Sequence, residues 1–316
     1  MPHLLIGIDE AGLAPNLGPL VITATLWELP CHIESHEIWR SFADVLTNTP
    51  ARNDPRLHIA DSKKVHQPHK GIRGLERGVL SSLRTMNLQP ENVEELWAAL
   101  SPEGRIEFRG EPWNIEQHYS VPLEADPVDI EFRAQRWKAC GSSTGIQLKN
   151  IRSEVVSAAR YNRLVDQYQN KSLVLSKLSL GLLRCLWNPH SDDSCLIISD
   201  KHGGRNRYDD LLREVAGEES IECEAESTPC STYRVRNTEL RFQVGGEEHL
   251  PVALASMISK YVREASLVPF NDYFCRRIPG LQPTKGYPVD AARFRTEVQQ
   301  LQRELGIPDH QFWRSR

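Results

Sequence analysis

The sequence lacks the features that would place a protein in a membrane, in an oxidising compartment or among nucleotide-binding folds. No apolar run approaches the roughly 20 residues of a membrane helix, and the first residues lack the basic and apolar regions of a signal peptide. The seven cysteines form no CxxC pair or regular spacing, which argues against a disulfide framework or zinc site. No GxGxxG, GxxxxGKS or GxxxxGKT pattern follows an apolar run, which argues against a Rossmann or P-loop enzyme. We therefore expect a cytoplasmic protein with reduced thiols and no membrane segment.

The chain also has no excess of positive charge. Its 38 Lys and Arg residues are outnumbered by 42 Asp and Glu residues, and the formal net charge is -4 at pH 7. A nucleic-acid ligand would therefore have to bind a local basic patch. The 316 residues are 40% apolar and 25% charged, as in ordinary soluble globular proteins. This length accommodates one large domain or two modest ones, and we expect residues 1–316 to form a single domain.

Apolar segments alternate along the chain with segments of helical periodicity. Strands are predicted at LLIGIDE, LVITAT, TGIQLKNI and CLIIS, with one or two more in STYRVRNTELRFQV. The long tract SEVVSAARYNRLVDQYQNKSLVLSKLSLGLLRCLW is predicted to form two helices, and the amphipathic segment VALASMISKYVREASLVPFNDYF is predicted to be a helix. This alternation predicts an α/β fold with a mixed central sheet flanked by helices. Residues 87–143 lack a clean period, so we expect an inserted segment or subdomain there, or simply a solvated lobe without chemistry.

Carboxylates end two of the predicted strands. Asp9 and Glu10 follow LLIGI directly and precede a loop rich in Gly and Pro, and Asp200 ends CLIIS before two glycines. Neighbouring residues of a strand point to opposite faces, and like charges gathered at one point repel unless a cation compensates them. Hard Mg2+ or Mn2+ ions prefer such oxygen ligands, and carboxylates around two ions suit attack of water on a phosphodiester. The alternative is a set of salt-bridged acids at strand ends.

Six motifs carry a resemblance to a known family. They are GIDEAGLAPNLGPLV, ADSKK, LIISDKHGG, ALASMISKYVRE, TKGYP and HQFWRSR, and they span nearly the whole chain. Each is similar to a motif of the type 2 ribonucleases H, ribonuclease HII and HIII, and all six occur in the order found in that family. The ordered set makes the resemblance specific, although any one motif alone is weak.

The resemblance implies a ribonuclease H-like fold whose C-terminal helical extension, residues 270–316, helps to grip nucleic acid. It implies hydrolysis of the RNA strand of RNA–DNA hybrids, or cleavage at a ribonucleotide embedded in DNA, by an enzyme that uses Mg2+ or Mn2+. We expect this enzyme to be a monomer. The catalytic metal ligands carry over as Asp9, Glu10 and Asp200, with Glu247 as the fourth and Glu248 as its alternative. The implied substrate contacts are Gly12, Leu13, Ala14, Ser62, Lys63, Lys285 and Tyr287. Arg205 is predicted as a further substrate contact because its basic side chain lies near Asp200 in the sequence.

One motif departs from the family pattern. Ribonuclease HII carries Gly-Arg-Gly after its Asp-Glu, whereas this chain reads Gly12-Leu13-Ala14. The cation is absent, and Ala14 enters positive φ less cheaply than Gly would. Three variants therefore stay open: a nuclease with altered specificity, a hybrid-only nuclease, and a weakened or non-catalytic relative. A DNA-directed two-metal nuclease on the same fold is a further alternative.

The remaining polar residues of interest have two interpretations each. Basic side chains near Asp200 and on the STYRVRNTELR segment either steer a phosphate backbone or form a solvated strand edge. His66 and His69 are expected to lie in a solvated loop and not to bind metal. His310, Arg314 and Glu264 are expected to have bracing or structural roles. The basic side chains in question are Lys201, Arg205, Arg207, Arg234, Arg236 and Arg241.

Overall fold

The structure is a computed structural model that describes residues 3–66, 71–101, 104–115 and 118–315. Nine strands are assigned within these ranges. They are β1 (His3–Ala11), β2 (Leu20–Leu29), β3 (Leu46–Thr47), β4 (Leu57–His58), β5 (Gln147–Val156), β6 (Ser194–Asp200), β7 (Glu222–Glu226), β8 (Cys230–Val235) and β9 (Thr238–Gln243).

Seven of these strands form one mixed sheet in the order β5-β2-β1-β6-β9-β8-β7. The three central strands, β1, β6 and β9, are parallel, and antiparallel strands extend the sheet on both sides. Strands covered on both faces are apolar almost throughout, which explains the runs LLIGI and CLIIS. The parallel register brings the C-terminal ends of the three central strands to the same edge of the sheet.

The longer helices pack around this sheet. Several helices begin at a residue whose side chain caps the first turn. Asp61, Asn92, Asp126, Ser157 and Asn170 each accept a hydrogen bond from a backbone amide in the first turn. The α-helices are α1 (Ile38–Ser41), α2 (Ser62–Val65), α3 (Arg73–Thr85), α4 (Val93–Leu100), α5 (Gly104–Gly110), α6 (Pro127–Thr144), α7 (Ala158–Tyr168), α8 (Lys171–Leu186), α9 (Asp209–Ala216), α10 (Leu250–Cys275), α11 (Pro288–Glu304) and α12 (Asp309–Phe312).

The predicted mixed sheet flanked by helices is confirmed. Two details differ from the sequence prediction. The residues SEVV, expected to start a helix, continue β5 to Val156, because β5 pairs with β2 as far as the pair Leu20 and Val156. The acidic edge strand β7 was not predicted, since its five residues are all exposed and carry no apolar alternation.

Each face of the sheet has its own apolar core. One core contains Leu5 and Val21 from the sheet together with side chains of α3, α4, α6 and α10. The opposite core contains Ile6 and Ile8 together with side chains of α7, α8 and α9. A third cluster joins the end of α10 to α11 and α12. The sheet is therefore the middle of three layers, and the C-terminal helices pack at one end.

Residues 87–143 contribute directly to the first of these cores. Trp97 of α4 is 1% exposed, and its indole Nε1 donates to Ser266 Oγ of α10 at 2.9 Å. Trp137 of α6 stacks on Trp27 of β2 at 6.3 Å between ring centroids. Whether the segment is an insertion relative to other chains stays a prediction, but its described helices are packed against the sheet layers.

Two further expectations concern the membrane and the thiols. Among the described residues, no helix combines the length and the apolarity that crossing a bilayer requires. All seven cysteines are free thiols.

Candidate active site

Four carboxylates meet at the edge where the central parallel strands end. Asp9 and Glu10 lie near the end of β1, and Asp200 is the last residue of the neighbouring strand β6. The chain then leaves β9 and enters a short 3-10 helix, Gly246–Glu248, which carries Glu247 immediately before α10. The C-terminal edge of parallel strands is where α/β proteins commonly place their ligands.

Asp9 faces α10 and is held there by two serines of that helix. Its side chain is 6% exposed and accepts hydrogen bonds from the Ser256 hydroxyl and from the Glu10 amide, the latter at 2.7 Å. The Ser259 hydroxyl donates to the Asp9 carbonyl oxygen at 3.1 Å. Ser256 Oγ also lies 3.2 Å from Ser62 Oγ. Ser62 is therefore buried in a polar chain that leads to Asp9.

The four carboxylates interact electrostatically. Burial, and then the charge of Glu10, raises the pKa of Asp9 well above its usual range. Burial and the neighbouring Asp200 raise the pKa of Glu10 to about 7. Burial and Asp200 also raise the pKa of Glu247, and burial raises that of Asp200 despite bonds from backbone amides. The cluster thus carries repulsion that a nearby cation would relieve.

Lys63 is the basic side chain that faces this cluster. Its pKa is raised by Asp61 first, and then by Glu247, Asp9 and Asp200. The structure places Lys63 within electrostatic range of all four predicted carboxylates. The negative field of the carboxylates that attracts the Lys63 ammonium would also attract a divalent cation.

The donor chemistry of the cluster fits a hard divalent ion, but the side chains are not already gathered as a ligand set. No three described His, Cys, Asp or Glu side chains converge closely enough to hold one ion. Carboxylate oxygens are the ligands that Mg2+ and Mn2+ prefer. The residues that would hold such an ion are Asp9, Glu10, Asp200 and Glu247.

Glu247 and its alternative Glu248 have different surroundings. Glu247 is partly buried beside Asp200 and Lys63. Glu248 is exposed, and its backbone carbonyl accepts a hydrogen bond from Trp39 Nε1 at 2.7 Å. The one-residue offset within the 3-10 helix therefore directs Glu247 toward the cluster.

The loop of Gly12, Leu13 and Ala14 follows β1 directly. Gly12 has φ of +96°, where a side chain would be strained and would meet the Pro19 carbonyl. Leu13 packs against the core that lies on the Ile6 side of the sheet. Ala14 is exposed and does not adopt a positive φ. Having Ala at this position, where ribonuclease HII has Gly, therefore causes no backbone strain from a positive φ.

Lys285 and Tyr287 lie together on the loop before α11. Lys285 is exposed, and its backbone amide donates to Asp290 Oδ2 at 2.9 Å. The Tyr287 ring is 47% exposed and lies 5.9 Å from Lys260 Nζ and 5.8 Å from the Arg263 guanidinium carbon. A half-exposed aromatic ring backed by two cations is suited to stacking on a sugar or base next to a phosphate.

The loop after Asp200 is held by the buried ammonium of Lys201. Lys201 Nζ donates to Ser227 O at 2.6 Å, to Asn206 Oδ1 at 2.8 Å, and to the Arg205 carbonyl and Ser231 Oγ. Lys201 is therefore a structural cation. Arg205 is half-buried on the same loop, and its Nε has no hydrogen-bond partner among the described residues.

The arginines on and beside β8 and β9 form ion pairs with nearby carboxylates. Arg234 pairs with Glu224, Arg236 with Asp192 and Arg241 with Glu239. Arg207 is 84% exposed along its side chain and lies 3.4 Å from Glu226. These contacts favour the solvated-edge interpretation for Arg234, Arg236 and Arg241.

The remaining predicted residues divide between support and surface. Glu264 pairs with Lys260 at 2.6 Å and with Arg263 at 3.1 Å, as its expected structural role requires. His66 is half-buried, and burial lowers its pKa, while His69 lies outside the described residues. His310 is exposed, but its carbonyl accepts from Asn162. Arg314 is 1% exposed.

Sequence reasoning missed several residues that organise this edge. Ser256, Ser259 and Arg263 lie on the face of α10 that meets the ends of β1 and β2. Their spacing of three and four residues is a polar stripe inside an otherwise apolar helix, a signal that could have identified them. Asn16 and Asn162 carried no comparable signal, because their partners lie far away in the sequence.

No family model matches the chain, and no curated protein does. Its backbone is similar to that of ribonuclease H2 from Pyrococcus horikoshii OT3, with a TM-score of 0.48 and 14% identity over 98% of this chain and 92% of that one. It is similar to ribonuclease HII from Archaeoglobus fulgidus, solved in complex with PCNA, with a TM-score of 0.44 and 13% identity over 99% and 94% of the two chains. For Bst-RNase HIII in complex with Mn2+, the TM-score is 0.43 and the identity 15%, over 98% and 65%. These are the type 2 ribonucleases H that the sequence motifs resemble.

Proposed function

We propose that the chain is a divalent-metal-dependent endoribonuclease that hydrolyses the RNA strand of RNA–DNA hybrids. The observation that carries this proposal is the position of Asp9, Glu10, Asp200 and Glu247 at the same edge of the sheet, where β1, β6 and β9 end, with Lys63 in electrostatic range of them. The ordered motifs around these residues support the same reaction. Bound divalent ions would polarise the phosphoryl oxygens and lower the pKa of a bound water.

The residues around the cluster have complementary tasks in this proposal. Lys63 and the exposed Lys285 bind phosphate oxygens as point charges, while the Tyr287 ring stacks against the sugar or base next to the scissile phosphate. The Gly12-Leu13-Ala14 loop offers backbone amides to the RNA strand, whose 2′-hydroxyl distinguishes it from DNA. Cleavage at a single ribonucleotide in DNA is an additional activity in this proposal, and the missing loop arginine makes it the weaker one.

The test is a cleavage assay with Mg2+ and with Mn2+ on three labelled duplexes: an RNA–DNA hybrid, DNA with one embedded ribonucleotide, and DNA alone. We expect the hybrid to be cut. Cleavage of DNA alone would instead assign a DNA-directed nuclease. Binding of the hybrid without any cleavage would assign a non-catalytic relative.

Asp9→Asn links the activity to the carboxylate cluster. It should lower hybrid cleavage by about 100-fold or more, as expected for loss of a metal-site ligand. The thermal midpoint should stay equal or rise, because the change removes one of several repelling buried charges. Asp166→Asn on the exposed side of α7 is the matched control. Mn2+ should raise the thermal midpoint of the wild type and the control but not of Asp9→Asn, and wild-type turnover in Asp9→Asn would refute the site.

A further inference from the structure

Two buried arginines lie beneath the loop that connects β1 to β2. Arg263 of α10 and Arg314 of the C-terminal tail are each 1% exposed. Arg263 pairs with Glu264 at 3.1 Å, but Arg314 has no carboxylate partner among the residues that the structure describes. Its Nε and Nη1 atoms are also buried without a hydrogen-bond partner. Burying an unpaired cation is costly, so the contacts that Arg314 does make call for an explanation.

Arg314 binds the underside of the loop through backbone carbonyls. Its Nη2 donates to the Gly12 oxygen at 2.5 Å and to the Pro15 oxygen, and its guanidinium carbon lies 4.8 Å from the centre of the Tyr161 ring. In a planar trans peptide, the carbonyl and the following amide point in opposite directions. The amide of Leu13 therefore points away from Arg314, and it donates to no described acceptor.

The tail that carries Arg314 is fixed on two sides. The Arg314 amide donates to the Asn16 carbonyl at 2.9 Å, and Asn16 Nδ2 donates back to the Arg314 carbonyl at 3.1 Å. On the other side, Asn162 Nδ2 donates to the His310 and Trp313 carbonyls at 2.9 and 2.8 Å. Asn162 Oδ1 accepts from the Ser315 amide at 2.7 Å. The guanidinium is thus held in place against the loop.

Arg263 connects this loop to the second predicted substrate loop. Its Nη2 donates to the Leu17 carbonyl at 3.1 Å and to the Lys285 carbonyl at 2.9 Å. The Asn16 amide also donates to the Gly286 carbonyl at 2.8 Å. The loop at Gly12, the loop at Lys285 and the C-terminal tail therefore form one hydrogen-bonded unit beside the carboxylate cluster.

We propose that Arg314 is a positioning residue that holds the Gly12 peptide so that the Leu13 amide is presented to an oxygen of the RNA strand. This inference rests on the proposed function. It gives the tail a role in substrate binding without contact to the reacting atoms. The Arg314 guanidinium orients the backbone of the Gly12-Leu13-Ala14 loop from below, and that loop carries no arginine of its own.

The test compares three full-length variants on the RNA–DNA hybrid. Arg314→Met keeps the aliphatic stem over Tyr161 but removes all donors. Arg314→Lys keeps a charge that can reach one carbonyl. Arg303→Met is the matched control, because Arg303 is an exposed arginine of α11. The measurements are KM, kcat, the thermal midpoint, and hydrogen exchange of the peptide that covers residues 11–17.

We expect Arg314→Met to raise KM about tenfold, as for one lost oriented hydrogen bond, with kcat within about twofold because the carboxylates are untouched. Exchange within residues 11–17 should become faster at an unchanged or higher thermal midpoint, because an unpaired buried charge has been removed. Arg314→Lys should restore part of the KM, and Arg303→Met should match the wild type.

Two results would overturn the inference while leaving the proposed function intact: a cleaving Arg314→Met enzyme with wild-type KM, or a KM change that accompanies a large fall in thermal midpoint and global loss of exchange protection. The latter would reveal a purely structural arginine. A wild-type protein that neither binds nor cleaves the hybrid would overturn the proposed function, and the substrate role of Arg314 with it.

Discussion

The Glu76 carboxylate accepts four hydrogen bonds, three from the backbone amides of residues 123–125 and one from the Tyr261 hydroxyl. Its side chain is 0% exposed. Oε1 accepts from the Leu123 amide at 2.5 Å and from the Tyr261 hydroxyl at 3.0 Å, and Oε2 accepts from the amides of Glu124 and Ala125 at 2.6 and 2.7 Å. Changing Glu76 to Gln replaces one acceptor oxygen with an NH2 donor at nearly constant volume.

The cost of this change follows from the geometry. The Gln amide will place its NH2 at the Oε1 position, because Tyr261 can rotate its hydroxyl to accept, whereas two backbone amides at Oε2 cannot. One buried amide, that of Leu123, then loses its acceptor at a cost of about 1–3 kcal/mol. The two remaining backbone bonds lose their charge assistance. The free energy of unfolding should therefore fall by about 2–4 kcal/mol.

Urea unfolding at pH 7 measures this loss, provided that the slope with denaturant is unchanged. Tyr261→Phe removes only one of the four bonds and should cost about 1 kcal/mol. Glu218→Gln, at an exposed position near the end of α9, is the control for loss of a carboxylate. A Glu76→Gln protein within about 0.5 kcal/mol of the wild type would refute the reasoning, as would a Tyr261→Phe protein that loses as much stability as Glu76→Gln.

Two further predictions concern a glycine and a buried acid. Gly286 has φ of +79°, and an added Cβ would lie 2.3 Å from the Leu17 carbonyl, whereas Gly280 has φ of +82° and open space around it. In urea unfolding, Gly280→Ala should lower the free energy of unfolding by about 1 kcal/mol, and Gly286→Ala should lower it by clearly more. Equal losses for the two variants would contradict the close contact at Gly286. Burial, opposed by a hydrogen bond from Trp113, raises the pKa of Glu111 to about 8, so the folded protein keeps a proton there that the unfolded chain releases near pH 4.5. The free energy of unfolding should therefore fall as pH rises from about 4.5 to about 8. Glu111→Gln should be more stable than the wild type at pH 8 but not at pH 4.5. Parallel pH profiles of stability for the wild type and Glu111→Gln would rule this out.

The elements nearest the site could be predicted because their signals are local. Runs such as LLIGI and CLIIS are apolar throughout, since strands in the middle of this sheet are covered on both faces. Asp9 and Glu10 could be assigned to opposite faces from the period of a strand. The structure places the Asp9 side chain against Ser256 of α10.

The assignment of residues 87–143 shows where a local signal fails. The segment has few regular apolar repeats because its helices bury side chains one at a time, such as Trp97 and Trp137, against helices and strands elsewhere in the chain. A solvated lobe and a set of helices packed on a core can have the same amino-acid composition. Only the positions of α10 and the sheet show that the described helices of residues 87–143 are packed.

The support of the substrate loops is likewise a tertiary property. Arg314 lies 302 positions from Gly12 in the chain, yet its guanidinium donates to the Gly12 carbonyl. A single arginine near a chain end has no periodicity that could predict its burial. The sequence indicated a bracing role for this residue, but not the loop that it braces.

The sequence by itself determined the strands β1, β2 and β6, the acids near the ends of β1 and β6 and the long helix α10, because strand and helix periods are properties of neighbouring residues. Tertiary structure alone decided that Glu247 and not Glu248 turns toward Asp200, that Lys63 faces the same cluster, and that two arginines lie beneath the Gly12 loop. These outcomes depend on contacts between residues far apart in the chain, whose free energy is realised only when the sheet and its covering helices are assembled.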